Sequence, residues 1–349
     1  MNGSQAQSSP WLLDLQRDGY AVIKNAIPRD RAAAYQQSAF NWISSLRPGF
    51  DVNDPSTWIK KHLPVTSTIN TFSTYGIAHE KFIWGARIEP GVLKVFEEVW
   101  GTSELLVSFD SLNVTFPNRR DVPRKPAWEH VDQSPLRKGL SCVQGIINLS
   151  EAGPEDGGLM CYPGSHLLSE EFFDTQTDAR TWTRKDWYKF SKEELEWFTW
   201  KKGLKPLKVC AEPGDLIIWD SRTIHYGAEP TEKSDTIRTV IYAAYTPAKW
   251  ATEGDLEIKK DIFENYLGTT HWPHENFVKR YAGSMLEDGT RDPDDRTEPF
   301  ELPEMAPALL KLAGAMPYWA CIPVAKRVDY VCPKLFEKSR ENDVVASEF

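Results

Sequence analysis

Four apolar runs between residues 103 and 247, each rich in β-branched side chains and bounded by turn residues, constrain this chain more than any other feature. They are SELLVSFDSLNVTF (103–116), SCVQGIINL (141–149), LKPLKVCAEPGDLIIWD (204–220) and TIRTVIYAAYT (236–246). Val, Ile, Thr and Tyr suit a pleated, half-buried surface, whereas Gly, Pro, Asn and Asp interrupt it. GPEDGG (153–158), YPGSH (162–166) and EPGD (212–215) supply strong turn signals. Several strands separated by tight turns predict a mainly β sandwich or barrel.

The flanks read as helix. SPWLLDLQRDG precedes a short apolar strand at Tyr20–Ile23, and PRDRAAAYQQSAFNWISSL follows with Pro28 near a helix start. Residues 75–101 are predicted as further helix, interrupted at Glu89–Pro90 and ending on Gly101. DLEIKKDIFENYL and PEMAPALLKLAGAM continue the helical pattern beyond the strands. The expected organisation is one domain over 1–349. Within it, 1–102 is helical support, 103–250 a β core and 251–349 a helical extension. Residues 172–202, polar and aromatic, interrupt the core as a lid-like insertion.

The bulk numbers suit that reading. A chain of 349 residues with 41% hydrophobic and 26% charged residues can bury a sizeable core. The net charge of −9 argues against a nucleic-acid binder or an anionic-membrane binder. Cys142, Cys161, Cys210, Cys321 and Cys332 form no CxxC pair, and their odd number predicts free thiols in a reducing, cytoplasmic setting. The first residues lack a secretory pattern, the last carry no address tripeptide, and no run approaches the length of a membrane span. Nothing here speaks to oligomeric state.

Within the β region, WEHVDQS places His130 and Asp132 two apart, so on an extended segment both side chains leave the same side. A neutral imidazole and a carboxylate can then reach one metal. Alone, a His-x-Asp pair is a weak sign. GDLIIWDSRTIHYG adds His225 just after an apolar strand. Taken singly, that residue reads as a strand-end histidine. Together, two His and one carboxylate form the facial triad of non-haem iron(II) oxygenases, although zinc accepts the same set. Arg238 lies thirteen residues beyond His225, past the turn EPTEKSD, where a hairpin return brings it to the metal's side of the sheet. Its guanidinium fork would hold the far carboxylate of a dicarboxylate in a way that Lys cannot.

The order His-x-Asp, His, Arg, set among PEDGGL, PGSHL, PGDLIIWDSRTIHYGAEP and RTVIYAAYTP, resembles the phytanoyl-CoA dioxygenase family over about residues 15–250. The resemblance implies a double-stranded β-helix, the jelly-roll core shared with cupins, that uses iron(II), 2-oxoglutarate and O2. It implies His130, Asp132 and His225 as metal ligands and Arg238 as the cosubstrate's carboxylate partner. It also puts Gln144 where a polar side chain faces 2-oxoglutarate. This chain departs from the family in two ways. Trp128 stands two residues before the motif's first His rather than directly before it, and the charged loop NRRDVPRKPAW leads into the motif. The insertion and the long extension are similar to a fungal-type branch acting on secondary-metabolite precursors. The expected reaction is hydroxylation, desaturation or cyclisation at a C–H bond of a small molecule, such as a carboxylate- or amino-acid-like precursor, with release of succinate and CO2. Asp132 disfavours halogenation, because related halogenases vacate that position for chloride. A zinc-type hydrolase on the same three ligands and a non-catalytic cupin-like binding protein are the alternatives.

Other residues carry weaker signals. Asn113, Trp128, Arg124 and Trp187 are candidates to touch substrate, and the stretch from Asp110 to Asn113 is a candidate pocket wall. Arg119, Arg120, Arg124, Lys125, Arg137 and Lys138 could attract an anionic substrate, or form a solvated charged loop. Trp182, Trp187, Tyr188, Trp197, Phe198 and Trp200 could close over substrate, or pack a helix on the barrel. His62, His79 and His166 read as structural. His271 and His274 have HxxH spacing, but the intervening Trp-Pro argues against a helical metal pair.

Overall fold

The computed structural model describes residues 9–280 and 283–318. Cys321, Cys332 and the end of the extension lie outside the described residues. The strands are β1 (Tyr20–Ile23), β2 (Thr71–Phe72), β3 (Leu105–Val107), β4 (Leu112–Thr115), β5 (His130–Val131) and β6 (Val143–Asn148). They continue as β7 (Gly158–Cys161), β8 (Tyr188–Lys189), β9 (Leu207–Lys208), β10 (Leu216–Asp220), β11 (His225–Ala228) and β12 (Arg238–Pro247). The helices are α1 (Pro10–Asp18), α2 (Arg29–Leu46), α3 (Lys81–Arg87), α4 (Pro90–Trp100), α5 (Ser169–Gln176), α6 (Lys192–Glu196), α7 (Glu253–Glu264) and α8 (Pro307–Leu312).

All strand pairings are antiparallel and fall into two sheets. The major sheet runs β1-β10-β6-β12-β4-β2, with β3 also paired to β12. The minor sheet runs β8-β5-β11-β7-β9. Two such sheets, traversed alternately by the chain, form the double-stranded β-helix implied by the family resemblance.

Strand periodicity explains how one sequence serves two interfaces. Along β6, Val143 and Ile147 join the core beneath the helices, while Ile146 joins the core between the sheets. Along β10, Leu216 and Ile218 face the helices, and Ile217 and Trp219 face the other sheet. Along β12, Ile241, Ala243 and Tyr245 face the helices, and Val240 and Tyr242 face inward. Successive side chains alternate faces, so every second residue is committed to the cavity side. Each large apolar side chain buried this way contributes about 1.5–3 kcal/mol.

The helices end where the sequence suggests. Pro90 opens α4, and Gly101 closes it in the left-handed region at φ 64°. The EPGD turn holds Gly214 at φ 93°, and a Cβ there would lie 2.2 Å from the Ile27 carbonyl oxygen. Only glycine permits that approach. Buried Asp215 fixes the same turn by accepting from Lys24 Nζ at 2.6 Å, the Asn25 amide at 3.0 Å and the Glu212 amide at 2.7 Å. The expected single run at 103–116 is two strands, because the chain bends at Ser108–Ser111 to pass from β3 to β4. The four two-residue strands β2, β5, β8 and β9 fall below the length at which alternation is legible.

Candidate metal centre and cavity

The two sheets bring His130, Asp132 and His225 together. His225 opens β11 and pairs directly with His130 on β5, so both imidazoles leave the same face of the minor sheet. Asp132 follows β5, and its amide donates to the Ser221 carbonyl at 2.9 Å. One ligand atom from each residue lies within 4.8 Å of the others. The His225 Nε2 is 3.2 Å and the His130 Nε2 3.6 Å from the Asp132 carboxylate. Among the described residues, no other group of three or more His, Cys, Asp or Glu side chains converges this way.

The backbone orients both imidazoles. The His130 Nδ1 lies 3.1 Å from the Trp128 carbonyl oxygen, and the His225 Nδ1 lies 2.9 Å from that of Thr223. A carbonyl can only accept, so each Nδ1 carries the proton and each Nε2 keeps its lone pair for a metal. Burial pushes the His130 pKa down, the neighbouring His225 adds to that, and Asp132 opposes it. The neutral, ligating form is therefore favoured. Burial works against charge on Asp132, but His130 and His271 outweigh it and hold the carboxyl well below its usual range. This donor set, two imidazole nitrogens and one ionised carboxylate on one side of a cavity, fits a divalent transition ion and leaves positions for exogenous ligands.

The cavity above the triad has a volume of about 630 Å³. Its major-sheet wall is built by parity. Arg238 at the start of β12 faces inward, is 6% exposed, and donates from Nη1 to Asn113 Oδ1 at 2.7 Å. Asn113 is held in turn by Thr115 Oγ1, which donates to the same oxygen at 3.0 Å, and by its own donation to the Ile69 carbonyl at 2.7 Å. Gln144 faces inward from β6 and donates from Nε2 to Asp132 Oδ2 at 2.8 Å. Trp128 stacks on His130 with centroids 4.2 Å apart and planes at 9°. Trp187 lines the cavity from the insertion, its ring 6.3 Å from His130.

Arg124 does not reach this cavity. Its Nη2 donates to the Pro230 carbonyl at 2.6 Å, and the residue lines a separate surface depression with Glu155, Thr231, Glu232 and Lys233. The rest of the basic loop is mostly paired. Arg119 bonds Asp121 at 2.7 Å, Lys138 lies 3.2 Å from Asp174, and Arg137 is enclosed by Asp186 and Glu275. Lys125 does line the cavity, 3.7 Å from Glu229. Of the insertion's aromatics, Trp197 and Phe198 pack with Phe172 and Phe190 behind the minor sheet, and Trp200 stands exposed.

His271 and His274 diverge. The His271 Nε2 donates to the Asp132 carbonyl at 3.1 Å, while the His274 Nδ1 meets Thr246 Oγ1 at 3.0 Å. His166 meets the Gln16 carbonyl at 3.1 Å and serves the fold. Several cavity residues were not singled out from the sequence. Trp219 and Tyr242 follow the inward parity of their strands, which would have found them. Asn276 and Arg280 come from irregular chain after α7, where no periodicity exists to read, and His271, noted in the sequence only for its HxxH spacing, enters the cavity from the same stretch.

A double-stranded β-helix with a His-x-Asp pair facing a third His defines the class of 2-His-1-carboxylate metalloenzymes. The family model "Phytanoyl-CoA dioxygenase (PhyH)" matches residues 15–240. The chain is 42% identical over 269 residues to the "Ava biosynthesis cluster protein O" of Aspergillus versicolor, spanning 76% of this chain and 86% of that one. It belongs to the phytanoyl-CoA dioxygenase family, and with the triad assembled it is an iron(II)- and 2-oxoglutarate-dependent dioxygenase. Among solved structures, the chain is similar to EctD from S. alaskensis with bound Fe (18% identity, TM-score 0.49, 72% of this chain and 82% of that one). It is also similar to the epimerase SnoN in complex with Fe3+, alpha ketoglutarate and nogalamycin RO (17% identity, TM-score 0.47, 68% of this chain and 82% of that one).

Proposed function

We propose that the protein oxidises a C–H bond of a small secondary-metabolite precursor, with the metal held by His130 Nε2, His225 Nε2 and the Asp132 carboxylate. The observation that carries this reading is the paired His130–His225 register with both Nδ1 atoms bound to backbone carbonyls, which aims both Nε2 atoms at one point beside Asp132. Iron(II) with 2-oxoglutarate supplies the activation of dioxygen, with release of succinate and CO2. The protein's own residues bind, orient and exclude water. Arg238, desolvated and fixed by Asn113, anchors the far carboxylate of 2-oxoglutarate. Gln144 donates to Asp132 and holds the carboxylate in its ligating rotamer, a role distinct from the direct cosubstrate contact implied by the resemblance. Trp128 covers the outer face of His130 and limits its exposure to water.

The small-molecule assignment rests on the cavity above the triad and on the biosynthesis-cluster relative. Among the described residues no helix is long and apolar enough to cross a membrane. The free thiols Cys142, Cys161 and Cys210 support the expected cytoplasmic setting. The test is Asp132→Ala with iron-dependent succinate release as the readout. Loss of release with a folded protein is expected, and full turnover by the variant would remove Asp132 from the metal site.

A further inference from the structure

The cavity holds a second guanidinium that the reaction so far leaves unused. Arg280 lines it from the segment after α7, where its backbone is fixed by a bridge to Gly268. Its Nε is buried and has no hydrogen-bond partner, and no ion pair of Arg280 is found among the described residues. Buried donors are ordinarily paired, so an orphan on a cavity wall marks a place where a ligand acceptor belongs. The neighbouring carboxylate, Asp110, makes no hydrogen bond to that Nε. Its Oδ1 accepts from the Ser111 amide at 2.8 Å and its carbonyl accepts from Arg87; burial pushes its pKa up, although His271 and Arg280 oppose that.

The two cavity guanidiniums come from different segments. Arg238 pairs with Thr115 on β4, and Asp110, an electrostatic neighbour of Arg280, lies five residues earlier, where the chain bends out of that strand. His271 bonds the Asp132 carbonyl and is also an electrostatic neighbour of Asp110. One cation serves an anion at Arg238, and the other an anion at Arg280. The cavity lining also includes the aromatic side chains of Trp128, Trp187, Trp219, Tyr242 and Trp272.

We propose that Arg280 anchors a carboxylate carried by the substrate, and that the rest of that substrate is an apolar group packed against these aromatic side chains. This rests on the oxygenase reading above and names its substrate class. A fork with a free Nε–H discriminates a carboxylate from its neutral amide by charge and geometry together. The carboxylate could instead come from the cosubstrate, and the experiment separates the two.

Calorimetric titration of the anaerobic iron(II)/2-oxoglutarate-loaded protein uses 3-phenylpropanoate and its neutral analogue 3-phenylpropanamide as probes. The acid is expected to bind at least about ten-fold more tightly than the amide. Arg280→Met should erase that preference and Arg280→Lys should keep part of it, while both variants still form the coloured 2-oxoglutarate chelate. Arg238→Met should do the reverse, weakening the chelate and keeping the preference for the acid. Equal or undetectable binding of acid and amide to the wild type, or a preference surviving in Arg280→Met, would overturn the proposal. So would a chelate lost in Arg280→Met as it is in Arg238→Met. Absence of any chelate in the wild type would instead strike the oxygenase reading itself.

Discussion

At the scale of single residues, the site depends on which atom of each side chain is already engaged. The triad histidines spend Nδ1 on the backbone, so their direction is set before any metal arrives. Arg238 spends Nη1 on Asn113 and retains the rest of its fork for a carboxylate. Arg238→Lys should raise the half-saturating 2-oxoglutarate concentration by about ten-fold or more, because one charged contact of about 1.5–3 kcal/mol is lost while charge is kept. Steady-state succinate release at varied 2-oxoglutarate measures it, and an unchanged requirement would take Arg238 out of the site. The sequence predicts Arg238 at the site from a hairpin return after His225, but β11 and β12 lie in different sheets and it faces the cavity from the major sheet. Period-2 alternation and a His-x-Asp spacing on extended chain both convert sequence position into side-chain direction. Arg124 shows the converse. In an irregular loop no period exists, and its guanidinium turns to the Pro230 carbonyl instead of the cavity. The family resemblance puts Gln144 beside the cosubstrate, but its partner is Asp132, which only three-dimensional packing reveals.

At the scale of elements, the insertion at 172–202 adds β8 to the edge of the minor sheet, with Lys189 paired to His130 and Tyr188 to Val131. Its aromatic residues Phe172, Phe173, Phe190, Trp197 and Phe198 form a separate small core behind that sheet. Arg137 joins three segments around the cavity mouth. It bonds Asp186 of the insertion at 2.7 Å and Glu275 of the extension at 2.6 Å, and its guanidinium stacks 4.1 Å from the centre of the Trp272 ring. Asp186 also accepts from the Ser134 amide at 2.9 Å, which ties the loop after the His-x-Asp motif to the insertion. Arg137→Met would leave the Asp186 carboxylate buried and without its cation. The expected cost is about 3–5 kcal/mol, read as a fall in the denaturant midpoint. A loss under about 1 kcal/mol would show that the three segments are held independently of this pair. Sequence marked Arg137 only as part of a basic loop, because its partners lie 49 and 138 residues away.

At the scale of the whole molecule, α2, α3, α4, α7 and α8 cover the outer face of the major sheet with one continuous apolar core, and the inner face is left for chemistry. His79 sits within that outer core among Trp84, Phe109 and Phe263, and its Nε2 donates to the Leu267 carbonyl at 2.9 Å. Burial pushes its pKa down from 6.5 to about 3. The unfolded chain therefore takes up a proton between these values that the native protein refuses, so stability is lost as pH falls through that window. His79→Gln, which cannot titrate, should make the dependence of stability on pH shallower between about 6.5 and 3, as measured by denaturant unfolding. An unchanged slope would mean that His79 protonates in the native state. The central claim, that this fold holds iron(II) and 2-oxoglutarate at one triad, is tested most directly by adding both to the apo protein without oxygen. A weak visible charge-transfer band that needs both components, and is absent from Asp132→Ala, is the expected result. A wild-type protein that forms no such band, or a band that survives unchanged in Asp132→Ala, would contradict it.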